Sequence, residues 1–281
     1  MSEVTTMSRR SFLKKLLLGM MGMGTLGGFS TLMGERFWYQ IREVDLAINN
    51  LPKAFEGWKI VQFSDVHFGF HYGAKEFRRV VNIINNLNPD ILFFTGDLVN
   101  SASEWPEHAL PLLEELRAPR GGKWAVVGNH DYLTQENVIR SLQKSQFKVL
   151  KNEHDFIDLN RQRIYIAGLD DALYGRIDTG KALQGLSDQD CVLLLVHEPD
   201  IAELSCELGV SAQFSGHSHG GQVRIPFFGS LFTPLLAKKY VDGLYHVGES
   251  RMPLYVNRGV GTSQLPVRFF CRPEITVFHL S

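Results

Sequence analysis

The chain has few cysteines and almost no net charge, and each shortage argues against a class of protein. Its 281 residues include three cysteines, Cys191, Cys206 and Cys271, which are too few and too scattered for a disulfide framework or a zinc site built from thiolates. The formal net charge is -1, so the chain lacks the basic excess with which proteins bind nucleic acids. We therefore expect no nucleic-acid partner, and any bound metal must use ligands other than cysteine.

The first 34 residues differ in composition from the rest of the chain. The run SRRSFLK from Ser8 to Lys14 precedes a moderately apolar stretch from Leu16 to Met33, which is rich in Gly and Met and has no acidic residue. This order resembles a twin-arginine export signal more than an ordinary amphipathic start. No convincing small-x-small cleavage site precedes Glu35, so a cleaved signal and a retained amino-terminal anchor both stay open. We expect the twin-arginine translocation machinery to export the chain, which would be periplasmic or anchored to the outer face of the inner membrane.

From residue 58 onward, short apolar runs alternate with amphipathic stretches, which is the pattern of α/β layering. The predicted strands are Lys59 to Ser64, Ile91 to Thr95, Lys123 to Val127, Arg163 to Ala167, Cys191 to Val196, Ala212 to Ser215, Leu254 to Asn257 and Ile275 to Leu280. The predicted helices are Lys75 to Leu87, Trp105 to Leu116, Thr134 to Gln146 and Pro199 to Leu208. With no internal repeat or linker, residues 57 to 281 are predicted to form one domain after a lead-in segment from residue 35 to 56.

Side chains that can bind metals follow five of the predicted strands. They are Asp65 and His67, then Asp97, then Asn129 and His130, then His197, and finally His217 and His219. The carboxyl ends of strands in an open α/β sheet border the ligand-binding crevice, so we expect these side chains to converge. Imidazole, carboxylate and carboxamide ligands suit Mn, Zn, Fe or Co better than an all-oxygen magnesium or calcium site. The pattern predicts a site for a divalent cation.

The spacing of these residues suits two ions. Asp65-Val66-His67 and His217-Ser218-His219 each place two ligands on the same side of an extended chain. Two ions about 3.5 to 4 Å apart would let a bridging hydroxide attack phosphorus while both hold the phosphoryl oxygens. Asp97 is the expected bridging carboxylate. Gly96, Gly128 and Gly216 suit sharp turns beside the site, where a side chain would obstruct it.

Most of these motifs are weak signals when taken singly. An Asp-x-His pair on a turn is usually solvated, and a histidine that ends an apolar strand, such as His197, is usually a hydrogen-bonded core residue. The segment from Gly216 to Gly221, GHSHGG, is more specific. Together and in this order, the five motifs resemble those of the calcineurin-like metallophosphoesterase superfamily, and within it the bacterial phosphodiesterases exported by the twin-arginine route. The resemblance covers residues 57 to 281.

The resemblance implies a fold and a division of the metal ligands. The fold would be a four-layered α/β/β/α sandwich in which two mixed sheets pack face to face. The first ion would take Asp65, His67, Asp97 and His219, and the second would take Asp97, Asn129, His197 and His217. His130 would then protonate the leaving-group oxygen or stabilise the charged transition state, with Asp131 as the residue that orients its ring.

The implied activity is hydrolysis of a phosphodiester or pyrophosphate bond by a hydroxide held between two divalent ions, with His130 as the acid. A related alternative is a pyrophosphohydrolase that acts on a nucleotide-diphosphate lipid sugar of envelope lipid synthesis. An alternative of another class is a non-catalytic envelope protein that binds metal or phosphate. The presence of His130 disfavours that last alternative, because a binding protein has no need of an acid.

An apolar stretch follows the His-x-His motif. It includes Phe227, Phe228 and Phe232, and Lys238 and Lys239 stand at its end. Such a stretch could receive an acyl chain or dip into an anionic membrane interface, and it could equally be an irregular segment packed on the sheet. The first alternative predicts a lipid-linked phosphoester substrate and membrane association.

Overall fold

Two six-stranded sheets form the centre of the fold. The computed structural model describes residues 34 to 101, 105 and 107 to 281. In chain order, the strands of this part of the chain are β1 (Gln40–Leu46), β2 (Lys59–Phe63), β3 (Ile91–Thr95), β4 (Gly122–Val126), β5 (Phe147–Val149), β6 (Glu153–Leu159), β7 (Gln162–Gly168), β8 (Cys191–Leu195), β9 (Ala212–Ser215), β10 (Arg224–Ile225), β11 (Gly229–Ser230), β12 (Gly243–Val247), β13 (Met252–Val256) and β14 (Glu274–Leu280). The α-helices of the same part are α1 (Ala74–Leu87), α2 (Pro111–Glu114), α3 (Gln135–Lys144), α4 (Thr179–Ala182) and α5 (Ala202–Glu207).

Each sheet mixes parallel and antiparallel neighbours. The first sheet has the order β1-β14-β2-β3-β4-β5, in which β14 and β2 are antiparallel and the other neighbours are parallel. The second sheet has the order β12-β13-β9-β8-β7-β6, with an antiparallel pair at each edge. Strands β10 and β11 form a separate hairpin. Since β2, β3 and β4 are parallel, as are β7, β8 and β9, each sheet brings several carboxyl ends to one edge.

Apolar side chains from both sheets meet in the core between them. Strand β3 is buried along its whole length, and its side chains alternate between two cores because successive residues of a strand face opposite sides. Phe93 lies in the core between the sheets, where its ring centroid is 5.1 Å from that of Phe214 on β9. Leu92 and Phe94 lie in the core on the other side of the first sheet. Both faces of this strand are therefore shielded from solvent, which explains why all its residues but Thr95 are apolar.

Helices cover the outer faces of both sheets. Helix α1 buries Phe77, Val80, Val81 and Ile84, which recur every three to four residues and so lie on one face. These residues share a core with the first sheet, while α4 and α5 contribute Ala182 and Ala202 to a core with the second sheet. The order of layers is helix, sheet, sheet, helix. The four-layered α/β/β/α sandwich of two mixed sheets that the sequence predicts is thus confirmed.

One predicted helix is much shorter than expected. Of the helix predicted from Trp105 to Leu116, the described residues contain only Pro111–Glu114 as α-helix. Proline lacks an N–H and clashes inside a helix, so it fits the first helical turn, and this helix begins at Pro111. The helix predicted from Pro199 begins as a 3-10 turn, Pro199–Ile201, and continues as α5.

The segment from residue 35 to 56 supplies a strand that the sequence pattern does not predict. Strand β1 pairs in parallel with β14 at the edge of the first sheet, and only its last residue, Leu46, is buried, so it lacks the apolar run of a central strand. Residues 1 to 33 of the expected leader lie outside the described residues. Within the described part, no helix is long and apolar enough to cross a membrane.

Candidate metal centre

The predicted site residues meet where strands of both sheets end. Asp65 and His67 follow β2, Asp97 follows β3, Asn129 and His130 follow β4, His197 follows β8, and His217 and His219 follow β9. Seven of them form three groups whose ligand atoms lie within 4.8 Å of one another: Asp65 with His67 and His219, His67 with Asp97 and His130, and Asp97 with His197 and His217. Because His67 and Asp97 each belong to two groups, the seven side chains form a single cluster.

On one side of the cluster, imidazole nitrogens and carboxylate oxygens converge on a small space. The Nε2 atoms of His67 and His219 are 3.0 Å apart. His219 Nε2 is 3.4 Å from Asp65 Oδ1, and His67 Nε2 is 3.4 Å from Asp97 Oδ2. Two imidazole nitrogens that face each other beside two carboxylates are arranged as ligands of one cation.

On the other side, the same oxygen of Asp97 faces a second pair of histidines. His197 Nε2 is 3.2 Å from Asp97 Oδ2, and the rings of His197 and His217 have centroids 4.9 Å apart. The second nitrogen of each ring donates to a backbone carbonyl: His197 Nδ1 to Thr95 at 2.6 Å and His217 Nε2 to Leu235 at 2.8 Å. Such bonds fix the ring orientation and the tautomer, and they leave His197 Nε2 and His217 Nδ1 with lone pairs for a metal.

Burial keeps most of these imidazoles neutral. It lowers the pKa of His67 to about 3, that of His217 to about 4 and that of His219 well below its usual range. Neutral imidazole is the form that binds metals. These three histidines therefore lose no proton when they bind a cation near neutral pH.

The carboxylates and His197 behave differently. Burial raises the pKa of Asp65 to about 6. Burial alone would also raise the pKa of Asp97, but the adjacent His197 holds it well below its usual range. Burial opposes protonation of His197, yet Asp97 raises the pKa of that ring well above its usual value. Asp65 and His197 are thus the two groups that must release protons for a cation to bind.

Two of the proposed ligand atoms are buried without a hydrogen-bond partner, which tests whether a cation fits. Among the described residues these are Asn129 Oδ1 and His197 Nε2. A buried polar atom without a partner costs about 1 to 3 kcal/mol. Nitrogen and oxygen atoms gathered beside two carboxylates would be satisfied together by divalent cations. The donor set therefore fits the ions that the sequence predicts.

The backbone at the cluster is held in an unusual conformation. The φ angles of five of the proposed ligands are positive: Asp65 52°, His67 50°, Asp97 58°, His217 68° and His219 51°. Residues other than glycine rarely adopt this left-handed region, and each costs on the order of 1 to 3 kcal/mol. Neighbouring glycines allow the crowding, because a Cβ on Gly128 would collide with Asp97 Oδ1 and one on Gly216 with Asp65 Oδ2.

His130 is held at the cluster by its main chain and by its ring. Its N–H donates to Asp97 Oδ1 at 2.9 Å, and its Nδ1 is 2.8 Å from the carbonyl oxygen of Asn100. Because a carbonyl can only accept, His130 Nδ1 carries a proton, and Nε2 is the nitrogen left for chemistry.

The prediction that Asp131 orients this ring is wrong. The buried Asp131 carboxylate instead accepts backbone N–H bonds from Leu98 at 2.8 Å, Val99 at 3.1 Å and Gly128 at 3.1 Å. A buried carboxylate needs several donors, and three backbone N–H groups supply them. Asp131 therefore ties the loop after β3 to the loop after β4, and the Asn100 carbonyl orients His130.

A cavity of about 480 Å³ adjoins the cluster. Its polar floor is formed by Asp97, Asn129, His130, His217 and His219. Its apolar walls include Leu173, Leu231, Phe232 and Leu265. Asn129 thus reaches the same space as the other predicted ligands, and a ligand with both a polar and an apolar part would fit this lining.

A family model of the calcineurin-like phosphoesterases matches residues 59 to 221 of the 281-residue chain. The chain belongs to this family. It is 38% identical to the metallophosphoesterase YkuE of Bacillus subtilis over 283 residues, which cover 98% of each chain. It is 29% identical to the phosphodiesterase YaeI of Escherichia coli over 286 residues, or 97% of this chain and 99% of YaeI. It is also 31% identical to LpxG of Chlamydia trachomatis, a UDP-2,3-diacylglucosamine pyrophosphatase, over 284 residues that cover 80% of this chain and 85% of LpxG.

Family membership makes this calcineurin-like phosphoesterase a hydrolase of phosphoesters, and its clustered histidines and aspartates are consistent with divalent-metal binding.

One residue that supports the cluster, Arg268, could not be recognised from the sequence. Arg268 is fully buried, and its guanidinium donates to the carbonyl oxygens of Gly261 at 2.6 Å, Arg258 at 2.7 Å and His219 at 3.3 Å. It thereby fixes the backbone behind one proposed ligand. Arg258 itself pairs with Asp242 at 2.6 Å, so its guanidinium is committed to an ion pair.

We expect metal affinity to rise with pH. Below pH 6 the Asp65 carboxyl holds a proton that a cation must displace, and His197 must lose its own proton as well. Since one displaced proton weakens binding about tenfold per pH unit, the affinity of the metal-stripped chain for Mn²⁺ should be at least about tenfold weaker at pH 5 than at pH 7. Isothermal titration calorimetry checks this. Asp97→Asn should abolish binding at both pH values, and Glu249→Gln, an exposed carboxylate, should not change it. Equal affinity at both pH values would contradict the expectation.

Proposed function

We propose that this phosphoesterase acts with two divalent ions, manganese, zinc, iron or cobalt, held at the cluster. The supporting observation is the position of Asp97 Oδ2, which is 3.4 Å from His67 Nε2 and 3.2 Å from His197 Nε2. A single carboxylate oxygen between two sets of histidines is suited to bridge two cations. The first ion would take Asp65, His67, Asp97 and His219, and the second would take Asp97, Asn129, His197 and His217.

The reaction that suits this arrangement is hydrolysis of a phosphodiester or pyrophosphate bond. Bound divalent ions would supply Lewis acidity, which neutralises phosphoryl oxygens and lowers the pKa of a coordinated water. Water loses a proton to the solvent and adds to phosphorus, the bond from phosphorus to the leaving oxygen breaks, and that oxygen takes up a proton. His130 is placed to donate it from Nε2, because its other ring nitrogen, Nδ1, is held by the Asn100 carbonyl.

Two substitutions should separate metal binding from proton transfer. His130→Ala should lower hydrolysis of bis(p-nitrophenyl) phosphate by about 100-fold to 10,000-fold, with the metal content unchanged. Asp97→Asn should lose both metal and turnover, because it removes the negative charge and replaces one of the two carboxylate oxygens by an NH2 group that cannot bind a cation. The matched control is His154→Ala, since His154 bonds to the Ala182 carbonyl away from the cluster. Initial rates and elemental analysis of the full chain provide the measurements. Metal binding without turnover of any phosphoester in the unsubstituted chain would favour the non-catalytic alternative.

We infer that the substrate carries an apolar part. The phosphate would lie at the polar floor of the cavity, and Leu231, Phe232 and Leu265 line the wall beside it. A diester linked to a lipid would satisfy both surfaces, and the relative YaeI is named a phosphodiesterase. A second candidate is a nucleotide-diphosphate lipid sugar, because the relative LpxG is named for hydrolysis of UDP-2,3-diacylglucosamine. The two candidates share the same reaction at phosphorus and differ in the group beyond it.

The apolar wall should matter more for a lipid substrate than for a small one. Phe232→Ser should raise the KM for a long-chain phosphatidyl diester by about tenfold more than that for bis(p-nitrophenyl) phosphate, because burying a phenyl ring contributes about 1.5 to 3 kcal/mol. Leu133→Ser changes an exposed leucine and should leave both KM values unchanged. Steady-state kinetics in detergent micelles, run with the diester and with UDP-2,3-diacylglucosamine, would show which substrate depends on the wall. Equal effects on the lipid and the small ester would contradict a lipid-binding wall.

We also propose that residues 1 to 34 form a twin-arginine signal or amino-terminal anchor, followed by a lead-in segment from residue 35 to 56, whose strand β1 joins the first sheet of the domain from residue 57 to 281. The support is the sequence from Ser8 to Lys14 and the apolar stretch after it. Replacing both Arg9 and Arg10 by Lys should retain the chain in the cytoplasm, because the paired arginines are the feature that the translocation machinery reads. Fractionation of cells that express either form checks this. Equal export of both forms would contradict a twin-arginine route.

A further inference from the structure

An exposed apolar face extends outward from one wall of the cavity. Phe227 and Phe228, between β10 and β11, are fully exposed and 86% exposed, respectively. Other large apolar side chains that are at least 59% exposed lie near them in the chain or on neighbouring segments: Trp38, Leu231, Phe232, Leu235, Leu265 and Phe270. Exposed apolar residues are ordinary when scattered, but a group gathered on adjacent segments marks an interaction surface.

Hydrogen bonds place the segments of this face side by side. Arg224 N donates to Phe269 O, and Phe269 N donates to Gln222 O, each at 2.9 Å, which joins the hairpin to the segment that carries Leu265 and Phe270. That segment also contacts the start of the described chain, because Cys271 N donates to Glu35 Oε1 at 3.0 Å. Trp38 lies three residues further on and therefore borders the same face.

Cations stand over the exposed rings of this face. The guanidinium of Arg272 is 4.0 Å from the ring centroid of Trp38, and the Lys238 ammonium is 5.1 Å from that of Phe232. Aromatic rings with long basic side chains beside them suit a membrane interface, where the rings enter the acyl boundary and the cations stay among anionic head groups.

We propose that this face docks on an anionic phospholipid bilayer, with Phe227 and Phe228 inserted at the interface. The start of the described chain supports a membrane as the partner of this face. Glu35 contacts the face, and the sequence that leads to Glu35 is apolar from Leu16 to Met33. A membrane contact of that sequence would bring the same face to the lipid. Leu231, Phe232 and Leu265 belong both to this face and to the cavity wall. Docking therefore turns the mouth of the cavity towards the membrane surface.

The proposal concerns a surface, and it does not depend on whether the cluster hydrolyses a phosphoester. It is tested in the full chain with a fluorescent reporter at position 228. Phe228→Cys is made together with Cys206→Ser, because Cys191 and Cys271 are buried and Cys206 is more accessible, and the new thiol is labelled with the environment-sensitive dye NBD. The matched control is Phe156→Cys, since Phe156 is an exposed aromatic residue on β6, at the edge of the second sheet opposite β12.

With vesicles of phosphatidylcholine and phosphatidylglycerol, NBD at position 228 should shift to shorter wavelength, brighten severalfold and become protected from iodide quenching, whereas NBD at position 156 should not change. Equal responses at both positions, or none at position 228 when the chain sediments with the vesicles, would overturn the proposal. A blue shift at position 228 without lipid, together with the mass of a dimer in light scattering, would assign the face to a second copy of the chain and would also overturn it.

Discussion

Charge compensation between buried carboxylates and imidazoles is the interaction on which the rest of the structure depends. Asp65 and Asp97 are buried. Two negative charges that have lost their hydration are unstable unless positive charge lies close to them. Burial leaves His67 and His219 neutral, so most imidazoles around the carboxylates offer lone pairs and little charge. Divalent cations supply what the side chains lack. The cluster is therefore built to be completed by ions, and its protein atoms alone leave several polar groups without partners.

This requirement shapes the backbone around the cluster. Ligands arrive from strands of both sheets, so the core between the sheets fixes the distance between the two halves of the site. Residues such as Asp97 and His217 take left-handed conformations where their side chains enter the common space. The energetic cost of those conformations is offset by hydrogen bonds further out, such as the three that Asp131 accepts from backbone N–H groups and the one that Arg268 donates to the His219 carbonyl.

The central strands and the cluster could be predicted because their signals are local. Strands such as β3 are buried on both faces and therefore consist of continuous apolar residues. The metal-binding side chains follow those apolar runs directly. Edge strands are harder: β1 alternates half-buried and exposed residues, so its position depends on pairing with β14, more than 230 residues away. The wrong role for Asp131 has the same origin, because its partners Leu98 and Val99 are distant in sequence. Arg268 follows no pattern, since its acceptors are backbone carbonyls that any residue could supply.

The position of β14 has a consequence for biosynthesis. This strand lies between β1 and β2 in the first sheet, yet Glu274–Leu280 follow β2 by more than 200 residues. While the chain is being synthesised, β1 has no neighbour and β2 keeps an unpaired edge until residues 274 to 280 leave the ribosome. Closure of the first sheet therefore requires contacts of very high sequence separation, and such contacts form slowly. A chain that stopped before Glu274 would lack the strand that joins β1 to β2.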